Sequence, residues 1–497
     1  MKDNKVVYRV SITVSIIIAV LVVLFRETIE KQANAWFATL TEEFGWLYLL
    51  SVFAFVVFIL ILAFSKYGNI RLGRDDEKPE HSLFSWFAML FCAGMGIGLV
   101  FWGISEPISH YISPPVGIEA GTPAAIDFSM KSSFMHWGIH PWSLYAVVGL
   151  PLAYFQYRKH KPGLLSSTLE PLIGSDSKRS KYIKNAIDIA AIWTTVAGIS
   201  TSLGLGIIQI TNGGNFLFNI DSGILTQIII IIIVTGIFLW SSISGINKGV
   251  KILSNFNVVI AILLMVLAVI VGSRLEMANN FTSGLGNYIN DFFKDSLFIS
   301  EYVDTSWVKN WRVFYWGWWI TWAPFVGIFI ARISKGRTIR EFVLGVVAVP
   351  TLVSMIWFSV FGTMGLHLAN NKVLSTEAME KIAGAPEIGL FTVMQHYPLG
   401  TAISILAVIL LITFFITSAD SGTFVLAMMS SDGDLNPKAH KKIVWGITQS
   451  VLAIGLLVTG GLKPAQILCI LGSFPLIFII CGICLSLIKE LRNEYKK

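Results

Sequence analysis

Aromatic rings at helical spacing are the first residues in this 497-residue chain that could do chemistry. One string reads Phe134-Met135-His136-Trp137-Gly138-Ile139-His140-Pro141-Trp142-Ser143-Leu144-Tyr145. Another reads Phe314-Tyr315-Trp316-Gly317-Trp318-Trp319-Ile320-Thr321-Trp322. Trp319 and Trp322 are three apart and Trp318 and Trp322 four apart, so they share adjoining faces of one helix. A group of π-faces in a dry setting suits a quaternary ammonium, which cannot donate a hydrogen bond but is drawn to the ring quadrupole. Aromatic core packing is the other reading, and spacing alone leaves both open.

A second cluster is Phe414-Phe415-Ile416-Thr417-Ser418-Ala419-Asp420. Its adjacent hydroxyls could join free carbonyls around a hard cation, or make ordinary helix–helix hydrogen bonds. Asp420 reads as part of a structural hydrogen-bond network, since a carboxylate at this depth needs a partner. His136 and His140 are four apart, but the sequence offers them no third ligand or nearby carboxylate, which argues against a metal site. Cys92, Cys469, Cys481 and Cys484 lie in apolar runs, so neither a disulfide framework nor a zinc site is expected.

Lipid is the natural setting for these groups. The chain is 54% hydrophobic and 13% charged, too little charge to cover a soluble protein of this length. Apolar runs predict twelve helical spans, at 8–25, 46–64, 83–107, 131–157, 183–211, 223–242, 253–273, 307–331, 340–368, 397–429, 440–460 and 465–488. A partly amphipathic surface helix is expected at 277–300. The first run is followed by Arg26-Glu27 rather than a small-residue cleavage site, so it reads as a span and not a signal peptide. The net charge of +7 is carried by short clusters between spans, a topology signal rather than a nucleic-acid face. Lys66, Arg71 and Arg74 follow span two, Arg158, Lys159 and Lys161 follow span four, and Arg332, Lys335, Arg337 and Arg340 follow span eight. This pattern predicts a bacterial inner (plasma) membrane protein with both termini cytoplasmic.

Span three carries Gly94, Gly96 and Gly98 at its centre, and span eight carries Trp318 to Pro324. Glycine and proline disfavour helix, so both spans are expected to unwind there. Interrupted helices at matching places in two halves mark an inverted-repeat transporter. Spans three to seven (83–273) and eight to twelve (307–489) form two sets of five. They are preceded by 1–82, joined by 274–306 and followed by a short tail, 490–497. A channel would need a continuous polar pore and an enzyme a nucleophile–base pair or metal cluster; neither pattern is visible.

The strings AGMGIGLVFWGISEP, FMHWGIHPWSLY, FYWGWWITWAPFVGIFIARISKGRTIREF and FFITSADSGTFVL resemble the betaine/choline/carnitine transporters, with similarity from about 40 to 490. The resemblance implies an all-α membrane protein of the LeuT type, with twelve transmembrane helices in a 5+5 inverted repeat behind two extra N-terminal helices. It also implies a homotrimer, and import of glycine betaine for osmoprotection coupled to sodium ions. By the same resemblance an aromatic box falls on Trp137, Trp142, Tyr145 and Trp319, with Trp318 and Trp322 as a transient site nearer the cytoplasm and Gly94, Gly96 and Gly98 beside the substrate. One sodium site would use Cys92, Met95 and Phe414 carbonyls with Thr417 and Ser418; a second would use Thr195 and the Phe325 ring. The family's second span-five threonine is Ile199 here, with Ser200 beside it. Gly98, where choline and carnitine carriers tend to have Asp, points to betaine. Carriers of broader range, taking carnitine, proline betaine or choline, are the alternative. Sodium-independent members fill the ion sites with Arg or Met side chains, and no Arg lies mid-span here.

Overall fold

The computed structural model describes residues 5–94, 96–175, 177–243, 247–458 and 462–495. Among them the chain is helical, with an isolated β-bridge between Arg71 and Thr338. The first helices are α1 (Lys5–Leu24), α2 (Arg26–Phe64), α3 (Leu83–Gly94), α4 (Ile97–Ile112), α5 (Pro123–Trp137) and α6 (Ile139–Ala153). Short α7 (Leu165–Thr168) and α8 (Glu170–Ile173) precede α9 (Lys178–Phe218), α10 (Ile224–Ile243), α11 (Asn247–Val271) and α12 (Arg274–Leu297). Then come α13 (Phe314–Ile333), α14 (Ile339–Asn370), short α15 (Thr376–Gly384) and α16 (Gly389–Met394), α17 (Gly400–Met429), α18 (Ala439–Val458) and α19 (Leu462–Tyr495).

Nine helices among the described residues are long and apolar enough to cross a membrane. The other three expected spans fall on α1 and on two interrupted pairs, α3–α4 and α5–α6. The first interruption was expected: α3 ends at Gly94, α4 begins at Ile97, and Gly96 between them has φ −125° and ψ −148°. The second was not. Span four breaks at Gly138, because Pro141 removes the hydrogen bond to the Trp137 carbonyl and its ring crowds that group.

Span eight corrects the opposite expectation, since Trp318 to Pro324 is continuous helix within α13. Pro324 forfeits one backbone bond, which a helix buried in protein tolerates. The irregularity sits earlier, in a π-helical turn over Val308–Val313. α13 packs closely on α6 over this stretch. A Cβ on Gly149 of α6 would lie 3.1 Å from the Gly327 carbonyl of α13, so the two backbones touch and glycine alone fits.

The expected surface helix is α12, tied to α5 by Lys131, which pairs with Asp291 at 2.6 Å and Asp295 at 2.9 Å. At one end of the molecule the basic loops after spans two, four and eight meet. Arg71 Nη1 donates to the Gly336 carbonyl, and Arg158 pairs with Asp75 and Glu494. There the Lys335 ammonium, hydrogen-bonded to Glu77, holds that carboxyl below its usual range.

Candidate functional site

The break at Gly138 and the continuous α13 together bring the aromatic strings face to face. Trp137, the last residue of α5, lies 4.9 Å from Trp319 of α13, centroid to centroid, with the rings at 74°. Tyr145 of α6 completes the angle at 6.3 Å and 84° from Trp319. Trp142 joins through Tyr145, 5.5 Å away, rather than through Trp319. Trp318 stacks on Trp319 with centroids 4.9 Å apart and planes 9° from parallel, covering one of its faces. Phe358 of α14 lies 5.5 Å from Trp137. All of these rings are buried in the protein interior rather than spread along an outer belt, unlike Trp36 and Trp46, which are 54% and 51% exposed.

Acceptors on neighbouring elements engage the indole N–H groups of Trp319, Trp137 and Trp322, whereas Trp318 Nε1 has none among the described residues. Trp319 Nε1 donates to the His136 carbonyl at 2.9 Å, one residue before Trp137. Trp137 Nε1 donates to Glu106 Oε2 at 2.8 Å. Trp322, half-buried, donates to the Gly198 carbonyl at 3.1 Å and packs its ring 5.5 Å from Phe325. It thus faces α9 and stands apart from the Trp137–Trp319 pair.

The N-terminus of α4 closes on the same cluster. A Cβ placed on Gly98 would meet Trp137 at 2.7 Å and Trp318 at 3.6 Å. Any side chain there must push the Trp137 ring aside. Gly96 abuts α17, since its Cβ would lie 3.8 Å from Ser418 Oγ. Met95, which the sequence assigned to this region, lies outside the described residues, and so does the side chain of Cys92.

Oxygen donors gather beside the same break. Thr417 Oγ1 donates to the Thr413 and Phe414 carbonyls at 3.0 and 3.1 Å and accepts from Asn257 Nδ2 at 3.3 Å. Thr417, Ser418 and the Phe414 carbonyl belong to one turn of α17, with Ser418 turned to Gly96 and Thr417 to Asn257 of α11, a donor set suited to a hard cation. The second predicted cluster is thinner. Thr195 is buried on α9, with no hydrogen-bond partner for its hydroxyl among the described residues. Trp322, bonded to Gly198 three residues on, brings Phe325 and α13 to that face. Ile199 instead meets Gly422, and the Ser200 hydroxyl donates to the Gln449 carbonyl at 3.2 Å, so it is turned to α18. Asp420 accepts from Ser241 at 3.0 Å.

The sequence saw no carboxylate near His136 and His140, and the fold supplies one. Glu106 Oε1 lies 2.7 Å from His136 Nδ1 and 3.3 Å from His110 Nε2. His140 points elsewhere, to Ser296 Oγ at 2.9 Å, with its ring stacked on Trp316. Glu106 and His136 are separated by thirty residues and a helix break, a pairing that spacing rules cannot reach.

Comparison with known proteins accords with this geometry. Residues 6–496 match the family described as BCCT, betaine/carnitine/choline family transporter. The glycine betaine transporter OpuD of Bacillus subtilis (strain 168) is 48% identical over 96% of this chain and 92% of its own. A probable glycine betaine transporter of Desulfitobacterium hafniense (strain Y51) is 42% identical over 99% and 98%. An ectoine/hydroxyectoine transporter of Virgibacillus pantothenticus is 39% identical over the same shares.

Proposed function

Because the chain belongs to the betaine/carnitine/choline transporter family, we propose that it imports glycine betaine together with sodium ions, for osmoprotection. It is a multi-pass membrane transporter and not an enzyme. The observation that carries the substrate is the buried Trp137–Trp319 pair with Tyr145 beside it. In this reading the trimethylammonium group lies against Trp319 and the edge-on rings of Trp137 and Tyr145. The substrate carboxylate takes the N-terminus of α4 at Ile97, where an N-cap without a side-chain hydrogen bond and the helix dipole favour an anion. Gly98 keeps that approach open. The names of the relatives from Bacillus subtilis and Desulfitobacterium hafniense support the same substrate.

Sodium enters the reading through the shared break. Ser418 abuts Gly96, and Phe414 and Thr417 lie on the same turn of α17, so an ion held there would order the backbone whose far side binds the carboxylate. Cys92 and Met95 carbonyls would complete the set. Thr195 and Phe325 would form a second, weaker site, because Ile199 and Ser200 both face away from it. The whole carrier, in this reading, has twelve spans in two inverted repeats, 83–273 and 307–489. Both termini lie in the cytoplasm, and three copies assemble in the lipid.

A carrier of wider range is the second reading, which the ectoine/hydroxyectoine relative supports. Equilibrium binding on the purified protein separates the two. Titration with glycine betaine, choline, carnitine and ectoine should give the tightest Kd for betaine. Ectoine or carnitine binding as tightly would establish the wider range, and no betaine binding in the presence of sodium would end the proposal.

A further inference from the structure

Glu106 lies in the matched string of span three, yet neither the cage nor the ion cluster uses it as a ligand. Its side chain is fully buried and both carboxylate oxygens are filled. Oε1 receives His136 Nδ1 at 2.7 Å and faces His110 Nε2 at 3.3 Å. Oε2 receives Trp137 Nε1 at 2.8 Å and the Tyr315 hydroxyl. Burying a carboxylate is costly unless its lone pairs are satisfied, and four donors from three helices satisfy these.

Those donors belong to the cage. Trp137 is one of its walls. His136 precedes it, and the His136 carbonyl holds the indole of Trp319. Tyr315 lies one turn before Trp319 on α13, with its ring 5.8 Å from Trp137 and 5.9 Å from Trp319. Ligand atoms of Glu106, His110 and His136 also fall within 4.8 Å of one another, the reach of a metal ion. The hydrogen bonds account for that grouping without a metal, and for Trp137 and Tyr315, which a metal would not need.

We infer that Glu106 is a positioning residue for substrate binding: its carboxylate, held on α4, sets the angle between the Trp137 and Trp319 indoles. This rests on the reading of that pair as the quaternary-ammonium site. Glu106 acts through its geometry as an acceptor. Glutamine can keep that geometry. Its oxygen would face Trp137 and Tyr315, and its amide would face the two imidazoles, which accept after changing tautomer.

The test is the Kd for glycine betaine, read by tryptophan-fluorescence titration of the full-length protein in proteoliposomes. A merely structural defect lowers the number of binding sites and leaves the Kd of the folded fraction unchanged. Glu106→Leu, similar in volume but without acceptors, should weaken Kd by about 30-fold, the loss expected for hydrogen bonds to a charged group. Tyr315→Phe should weaken it by about 5-fold, and Glu106→Gln by no more than about 3-fold. A wild-type Kd in Glu106→Leu or Tyr315→Phe overturns the inference. So does a Glu106→Gln as weak as Glu106→Leu, since charge and not geometry would then act. If Glu106→Leu does not fold, the other two variants decide. Trp319→Leu distinguishes the failures: normal binding there sinks the cage itself, while loss there with a normal Glu106→Leu sinks the role of Glu106 alone.

Discussion

The aromatic cage and the hydroxyl clusters differ in how their polar atoms are held. Trp137 and Trp319 each anchor an indole N–H on another helix, through Glu106 and the His136 carbonyl. Thr417 bonds mainly within its own helix, and Thr195 has no partner among the described residues. A quaternary ammonium offers no hydrogen bond, so its site must supply ring faces already at the right angle. A hard cation is coordinated by oxygens that can turn toward it, and several weak donors share the work. Damage to the rigid region should therefore cost more than loss of one hydroxyl in the adaptable one.

The largest effect is expected at Trp319. Trp319→Leu removes a desolvated cation–π contact of about 2 kcal/mol, so betaine Kd should weaken by about 30-fold or more. An effect no greater than that of any hydroxyl substitution would break the comparison. Gly98 comes next. Gly98→Asp brings a carboxylate against betaine's own and displaces Trp137, so betaine Kd should weaken by about 10-fold and choline should gain relative to it. Gly98→Ala separates the two causes, because it displaces the ring without adding charge. If the aspartate variant bound betaine normally and still rejected choline, Gly98 would not discriminate.

Hydroxyl substitutions should move sodium dependence instead. Thr417→Ala or Ser418→Ala should raise the sodium concentration for half-maximal uptake by about 5-fold, as one ligand oxygen of several is lost. Thr195→Ala should raise it by no more than about 2-fold, because Ile199 and Ser200 leave that cluster short of oxygens. A larger effect at Thr195 than at Thr417 would reverse the ranking of the two ion clusters. The smallest change is expected at Trp46, exposed on the outer surface: Trp46→Leu should leave betaine Kd within about 2-fold of wild type.

The same contrast explains what the sequence made legible. Ring types and motif strings singled out Trp137, Tyr145 and Trp319, and the fold brings the first two rings to 4.9 and 6.3 Å from the third. The interruption at Gly94–Gly98 was legible as three glycines in one span. The one at Gly138 was not, since it depends on Pro141 acting three residues downstream. The expected unwinding of span eight failed for the opposite reason. One missing bond at Pro324 is a small cost beside the contact of α13 with α6 through Gly149 and Gly327. The gathering of donors around Glu106 was hidden. His110 is only four residues on, but the other partners lie 30, 31 and 209 residues away, and only the folded chain brings His136, Trp137 and Tyr315 to the same carboxylate.

Sodium-driven uptake tests the central claim most directly. Labelled glycine betaine would be presented to proteoliposomes under an inward sodium gradient, with and without an inside-negative potential set by potassium and valinomycin. Betaine carries no net charge, so each accompanying ion contributes about 2.3 kcal/mol per 100 mV. Two ions supply about 4.6 kcal/mol, more than a thousandfold accumulation before the sodium gradient is counted. Uptake should require sodium and rise with the potential. Equal uptake when potassium or choline replaces external sodium would contradict this.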